Sequence, residues 1–124
     1  MIDQIEQRIP ALIPGNPVDL CDVWAHYDRY DPLAVHLSIA DRSCVFARDL
    51  LADGLDDAAG EGLVRCYRAD EATLIVTVEF ADERRVVELA AESTAQFLDH
   101  TYALVARGEE VVDVDQLLRG IAAN

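Results

Sequence analysis

Residues 63–90, LVRCYRADEATLIVTVEFADERRVVELA, decide the fold. In the middle of this stretch Leu74, Val76, Val78 and Phe80 recur at every second position. Thr73, Thr77 and Glu79 lie opposite them, beside Ile75. That period of two is the signature of a half-buried β-strand. Ala69-Asp70-Glu71 and Ala81-Asp82-Glu83 are short acidic turns on either side, so the stretch reads as three antiparallel strands over 63–68, 73–80 and 84–90.

Working upstream, residues 47–55 read as a short helix with Phe46, Leu50, Leu51 and Leu55 toward the core. Gly54 stands where a left-handed residue would end that helix, and Leu55 can reach back to Leu50. Asp56, Asp57 and Gly60 then form a loop. Before the helix, Ala40-Asp41-Arg42 turns the chain into a short strand ending at Phe46. Val35, Leu37 and Ile39 face one way with His36 and Ser38 opposite, and residues 18–27 alternate as another strand. Pro14-Gly15-Asn16-Pro17 and residues 28–32 punctuate these strands. The first segment is ambiguous. Ile2, Ile5, Ile9 and Leu12 fit a helix, whereas Ile5, Ile9, Ala11 and Ile13 fit one face of a strand; Pro10 ends the helix or marks a sheet edge.

Downstream, Ser93 and Gln96 form a capping-box pattern, and Phe97, Leu98, Thr101 and Val105 make an apolar stripe that Gly108 terminates. Asp113 and Gln116 open a further helix carrying Val114, Leu117, Leu118 and Ile121. The expectation is an α+β domain spanning residues 1–124, with antiparallel sheet of about seven strands and two or three helices.

Composition bounds the function. All ten basic residues are arginine against 24 acids, a net charge of −14. Such a chain repels phosphate backbones and anionic lipid surfaces and favours partners with basic patches. No stretch approaches the roughly 18 apolar residues of a membrane span, and the acidic N-terminus does not read as a signal peptide, so a cytoplasmic location is expected. Cys21, Cys44 and Cys66 are odd in number and without metal-ligand spacing, which suits reduced, buried thiols.

Candidate chemistry is sparse. Cys44 with His36 is the one pairing from which a nucleophile and base could be built, and nothing in its spacing requires it. Gly60-Glu61-Gly62 lacks the lysine and helix of a phosphate loop, and the acidic tract from Glu109 lacks the ligand positions of a calcium loop. No cofactor or metal is therefore expected. Arg65, Arg68, Arg84 and Arg85 with Tyr67 suggest a single-strand nucleic-acid platform, but alternation sends Arg84 and Arg85 to opposite faces. Arg48 and Asp49 project from the short helix away from its core residues, as an ion pair or as a partner surface. Trp24 shares a strand face with Leu20, Asp22 and His26, suited to core packing or to a subunit interface.

Residues 30–36, YDPLAVH, followed by residues 45–51, VFARDLL, and Gly54-Leu55, resemble the signature of the SsgA-like family of actinobacterial sporulation and cell-division regulators. GEGLVR at 60–65, FLDHT at 97–101, Gly108-Glu109-Glu110 and DVDQLL at 113–118 resemble later family motifs in the same order. Cys44, Leu63, Cys66-Tyr67-Arg68 and Ala106 depart from the family pattern. The resemblance implies a fold akin to the whirly single-strand-binding proteins, an N-terminal segment in strand form, and assembly as a trimer. It implies a non-enzymatic adaptor recruited to the division septum and acting on a protein partner of the division machinery, directly or indirectly the tubulin-like FtsZ. A single-strand nucleic-acid-binding module is the alternative, which the net charge opposes. The protein-interaction candidates are Arg48, Asp49, Arg65 and Trp24.

Overall fold

The computed structural model describes residues 2–15 and 17–112. The helix expected from Asp113 onward lies outside the described residues. In chain order the elements are β1 (Gln4–Ile13), β2 (Asp19–Asp28), β3 (Asp31–Ile39), β4 (Arg42–Ala47), α1 (Arg48–Asp56), β5 (Ala59–Glu61), β6 (Val64–Arg68), β7 (Thr73–Glu79), β8 (Arg84–Ala90) and α2 (Ala91–Leu104). The strands form one antiparallel sheet ordered β4-β3-β2-β1-β8-β7-β6-β5.

The central meander has the register that alternation requires: Val76 lies between Cys66 and Val87, and Leu74 is opposite Leu89. Leu74, Val76 and Val78 are buried, as are Ile9, Val23, Ala25, Val35, Leu37 and Ile39 from the other strands. Together they make one inner face, on which Leu50 and Leu51 of α1 and Phe97 and Leu98 of α2 complete the core. Each of the Val, Leu, Ile and Phe side chains contributes about 1.5–3 kcal/mol through removal from water. The sheet curls around this core. Its β3–β4 turn reaches the β7–β8 turn, with Arg42 bonded to Asp82 and Glu83, and Arg85 bonded to Asp41 and Glu83.

The structure resolves the N-terminal ambiguity as a strand. β1 pairs with β2 along all ten residues, but with β8 only at Ala11 and Leu12. Pro10 thus sits just before the second ladder begins, where a missing N–H is tolerated. Beyond that point α2 takes the place of β8 beside β1, with Gln7 Nε2 donating to the Ser93 carbonyl at 2.8 Å.

Four expectations need correction. β5, an eighth strand, occupies part of what the sequence suggested was loop; at three residues it is too short to show a period. Gly54 does not end α1 but lies inside it: a Cβ there would stand 2.5 Å from Cys66 Cβ, so glycine is what lets the helix settle onto β6. Ser93 does not cap α2. The chain passes from β8 into the helix without a loop, and Ala90 is the capping residue with no side-chain bond. The helix also ends at Leu104, before Gly108, which adopts φ of 86° in the following turn.

Gly54→Ala is therefore expected to destabilise the fold by about 1–3 kcal/mol through overpacking. A urea titration followed by circular dichroism checks this, and the loss should shrink when Cys66→Gly is added.

Candidate protein-interaction surface

With the helices on the inner face, the alternate positions of every strand form an outer face. The pairing registers align Tyr67, Ile75, Glu88, Leu12 and Leu20 in one row across five strands. Leu20 is 78% exposed, and Tyr67 and Trp24 are 45% exposed. Trp24 lies opposite Arg8, whose guanidinium carbon stands 5.7 Å from the indole centroid while reaching Asp22 at 3.6 Å. The core-packing expectation for Trp24 is thus overturned: strand phase puts Val23 and Ala25 inward and Trp24 outward. Arg65 shares this outer face with Tyr67, two residues along β6. Among the described residues it is the one arginine that makes neither an ion pair nor a hydrogen bond, its stem lying across Gly60.

Arg48 is placed quite differently. It is 1% exposed, which corrects the expectation of a projecting side chain. Its guanidinium lies between two aromatic rings, 5.0 Å from the Tyr27 centroid and 4.1 Å from that of Tyr102. Nη1 donates to the carbonyls of Thr101 at 3.1 Å and Val105 at 2.7 Å, and Nη2 to Glu110 Oε1 at 3.2 Å. Those carbonyls belong to the end of α2 and its flank, so the cation meets the Val105 acceptor, and adds to the Val105 N–H on Thr101, where the helix dipole is negative. Nε has no partner, a cost the two faces and three bonds offset.

Asp49 extends the same fastening. It accepts the Tyr102 hydroxyl at 2.7 Å and pairs with Arg107 at 3.3 Å, while Arg107 also holds Asp53 at 2.9 Å. Arg48 and Asp49 therefore each bind the segment after α2. Burial pushes the Tyr27 phenol up to about 12 against the pull of the Arg48 charge. Burial also raises Tyr102, helped by its bond to Asp49, so both rings stay neutral beside the cation. The Glu110 carboxyl is held below its ordinary value, first by the Gly108 N–H and also by Arg48. A phase signal for Arg48 was present: Cys44 and Phe46 point inward, and the alternation of β4 carried on one step makes residue 48 inward too.

The nucleophile and base that sequence suggested are not brought together. His36 lies opposite Val45 on the outer face, whereas Cys44 lies opposite Leu37 on the inner one. Burial pushes Cys44 up to about 11 and Cys66 to about 12, which keeps both as unreactive thiols at neutral pH. His26 and His36 meet edge to face at 5.9 Å on the outer side, and His36 approaches Asp31 at 3.6 Å. Among the described residues no group of His, Cys, Asp and Glu has the arrangement to hold a metal. An open hollow of about 660 Å³ runs from Ile13 and Asp19 to Arg84 and Arg85, but its arginines are already committed to Glu79, Asp41 and Glu83. No described helix is long and apolar enough to cross a membrane.

A curled antiparallel sheet with its helices on the inner face and an exposed aromatic outer face is an α+β domain in class. Residues 22–110 match the family described as Streptomyces sporulation and cell division protein, SsgA. The sporulation-specific cell division protein SsgB of Saccharopolyspora erythraea is 38% identical over 116 residues, covering 86% of this chain and 82% of the relative. The SsgB protein of Streptomyces coelicolor is 35% identical over 107 residues, covering 78% of each. Two solved structures superpose on it. One comes from a study in which mutations in SsgB correlate to longitudinal cell division during sporulation of Streptomyces coelicolor. It has a TM-score of 0.78 and 26% identity, over 86% of this chain and 90% of that one. The other, an SsgA-like sporulation-specific cell division protein from Thermobifida fusca, has a TM-score of 0.74 at 21% identity, over 98% and 96%. The chain belongs to the SsgA family of sporulation and cell-division proteins.

Two outcomes follow for the buried cation. Arg48→Met is expected to cost about 1–3 kcal/mol, because it leaves the Val105 carbonyl unpaired and removes the cation between the two rings, and chemical denaturation measures it. Because Glu110 is held below its ordinary 4.5, its contribution is present above that value and is lost as pH falls through the lowered one. Glu110→Gln should accordingly flatten the fall in stability below about pH 5, seen in denaturation midpoints across pH.

Proposed function

We propose that this protein is a non-enzymatic adaptor in cell division during sporulation, recruited from the cytoplasm to the division septum. It acts through protein contacts that bear, directly or through another family member, on the placement of FtsZ. The observation that carries this reading is the outer sheet face. Trp24 and Leu20 are exposed there, and Arg65 carries a charge that no described residue neutralises. Such a surface gives a partner an aromatic anchor and an uncommitted guanidinium, the residue types that concentrate binding energy. Family membership and the SsgB relatives support the cellular setting. The separation of Cys44 from His36 and the high thiol values speak against the enzyme reading.

The protein is also proposed to assemble as a homotrimer through another surface, for which sedimentation should return three times the monomer mass, and Trp24→Ala should leave that mass unchanged.

A fluorescent fusion in a sporulating actinobacterium tests the role. It is expected to form bands that coincide with FtsZ. Trp24→Ala combined with Arg65→Ala should lose the bands while the circular dichroism spectrum stays unchanged. Signal spread over the nucleoid would contradict the adaptor reading in favour of the single-strand platform, for which Arg65 and Tyr67 share a face. A uniform signal from the unaltered protein would contradict it as well.

A further inference from the structure

Among the described residues the sheet ends in two strands with one neighbour each, β4 and β5. They differ as edges. β5 has three residues and turns at once through Gly62, which adopts φ of 61°, into β6. β4 has six, with neither proline nor lysine, and its partner is β3. Natural edge strands of that length are usually blunted, because unpaired N–H and C=O groups template another strand. Beside β4 runs an open groove of about 350 Å³, lined by Val45, Phe46, Ala47 and Leu50 on one side and Glu61, Leu63 and Val64 on the other. Three consecutive residues of one strand, pointing to alternate faces, line the same groove only if it follows that strand's edge. The floor is apolar: Phe46, Leu50 and Val64 are each less than a tenth exposed. The rims are apolar and uncovered, with Val45 56% and Leu63 65% exposed.

We infer that this seam is a docking site for an extended segment of a partner protein that adds a strand to β4. The segment presents small apolar side chains to the groove and an arginine or lysine to Glu61. Main-chain bonds to the free edge supply affinity and alternate side chains supply selectivity. The sign of the charge follows from the lining, since Glu61 is the one ionised group among the residues that form the groove. The net charge of −14 repels an acidic segment before contact. This site is separate from the surface around Trp24 and does not depend on the role proposed for it.

The probe is an acetylated, amidated heptapeptide alternating valine with arginine and threonine, compared with a version carrying glutamate for arginine. Fluorescence anisotropy measures affinity, and amide hydrogen exchange reports protection along β4. The basic peptide should bind at least about tenfold more tightly than the acidic one and slow exchange in β4. Glu61→Arg, an exposed position at the end of a short strand, should reverse the preference. Leu63→Asp should weaken binding of a neutral, all-threonine version. No binding, an unchanged preference in Glu61→Arg, or protection elsewhere than β4 would overturn the inference. Concentration-dependent protection of β4 without peptide would assign the seam to a second copy, and would overturn it too.

Discussion

One arginine joins three parts of the fold. Arg48 begins α1 where β4 ends, lies against Tyr27 at the end of β2, and bonds to carbonyls at the end of α2. A buried guanidinium is costly unless its donors and its charge are met, and here Thr101, Val105, Glu110 and two ring faces meet most of them. Asp49 beside it and Asp53 one turn on reinforce it through Tyr102 and Arg107. Lysine could not replace it, since one ammonium cannot reach carbonyls and a carboxylate in different directions while stacking flat between two rings.

This fastening has a consequence for the surface. α1 and α2 are drawn together on the inner side of the curled sheet, where Leu51, Phe97 and Leu98 exclude water. The outer side carries no helix over the described residues, so its strands keep their alternate side chains in solvent. Val23 and Trp24 are neighbours in sequence, yet one is fully buried and the other is available to a partner. Glu6, Asp22 and Glu88 share the outer face with Arg65, which remains unengaged there. The adaptor role proposed above would use this division between a fixed interior and an uncommitted exterior.

Much of the fold was legible because the sheet is half-buried and antiparallel. Residues 73–79 alternate cleanly, and their burial follows that alternation position by position. β5 was illegible because three residues, two of them exposed, carry no period. Gly54 was misread because a glycine that ends a helix and one that permits close packing look alike until Cys66 is seen beneath it. The surface was less legible than the fold. Strand phase grouped Trp24 with Leu20, Asp22 and His26 but left core and interface open until the burial of Val23 and Ala25 put that face outward. The alternation of β4 pointed Arg48 inward, but its partners Tyr102 and Glu110 lie more than fifty residues away, which no local pattern connects to it.

The claim that Arg48 fastens the end of α2 is tested most directly by native-state amide exchange in the protein and in Arg48→Lys. The amides to follow are those of Val105, bonded to the Thr101 carbonyl, and of Gly108 and Glu109 in the turn beyond. The account expects these amides to exchange much faster in the variant, while those of β7 and β8 keep their protection relative to global unfolding. Unchanged exchange at Val105, Gly108 and Glu109 would contradict it, and would mean that the end of α2 is held by its apolar contacts alone.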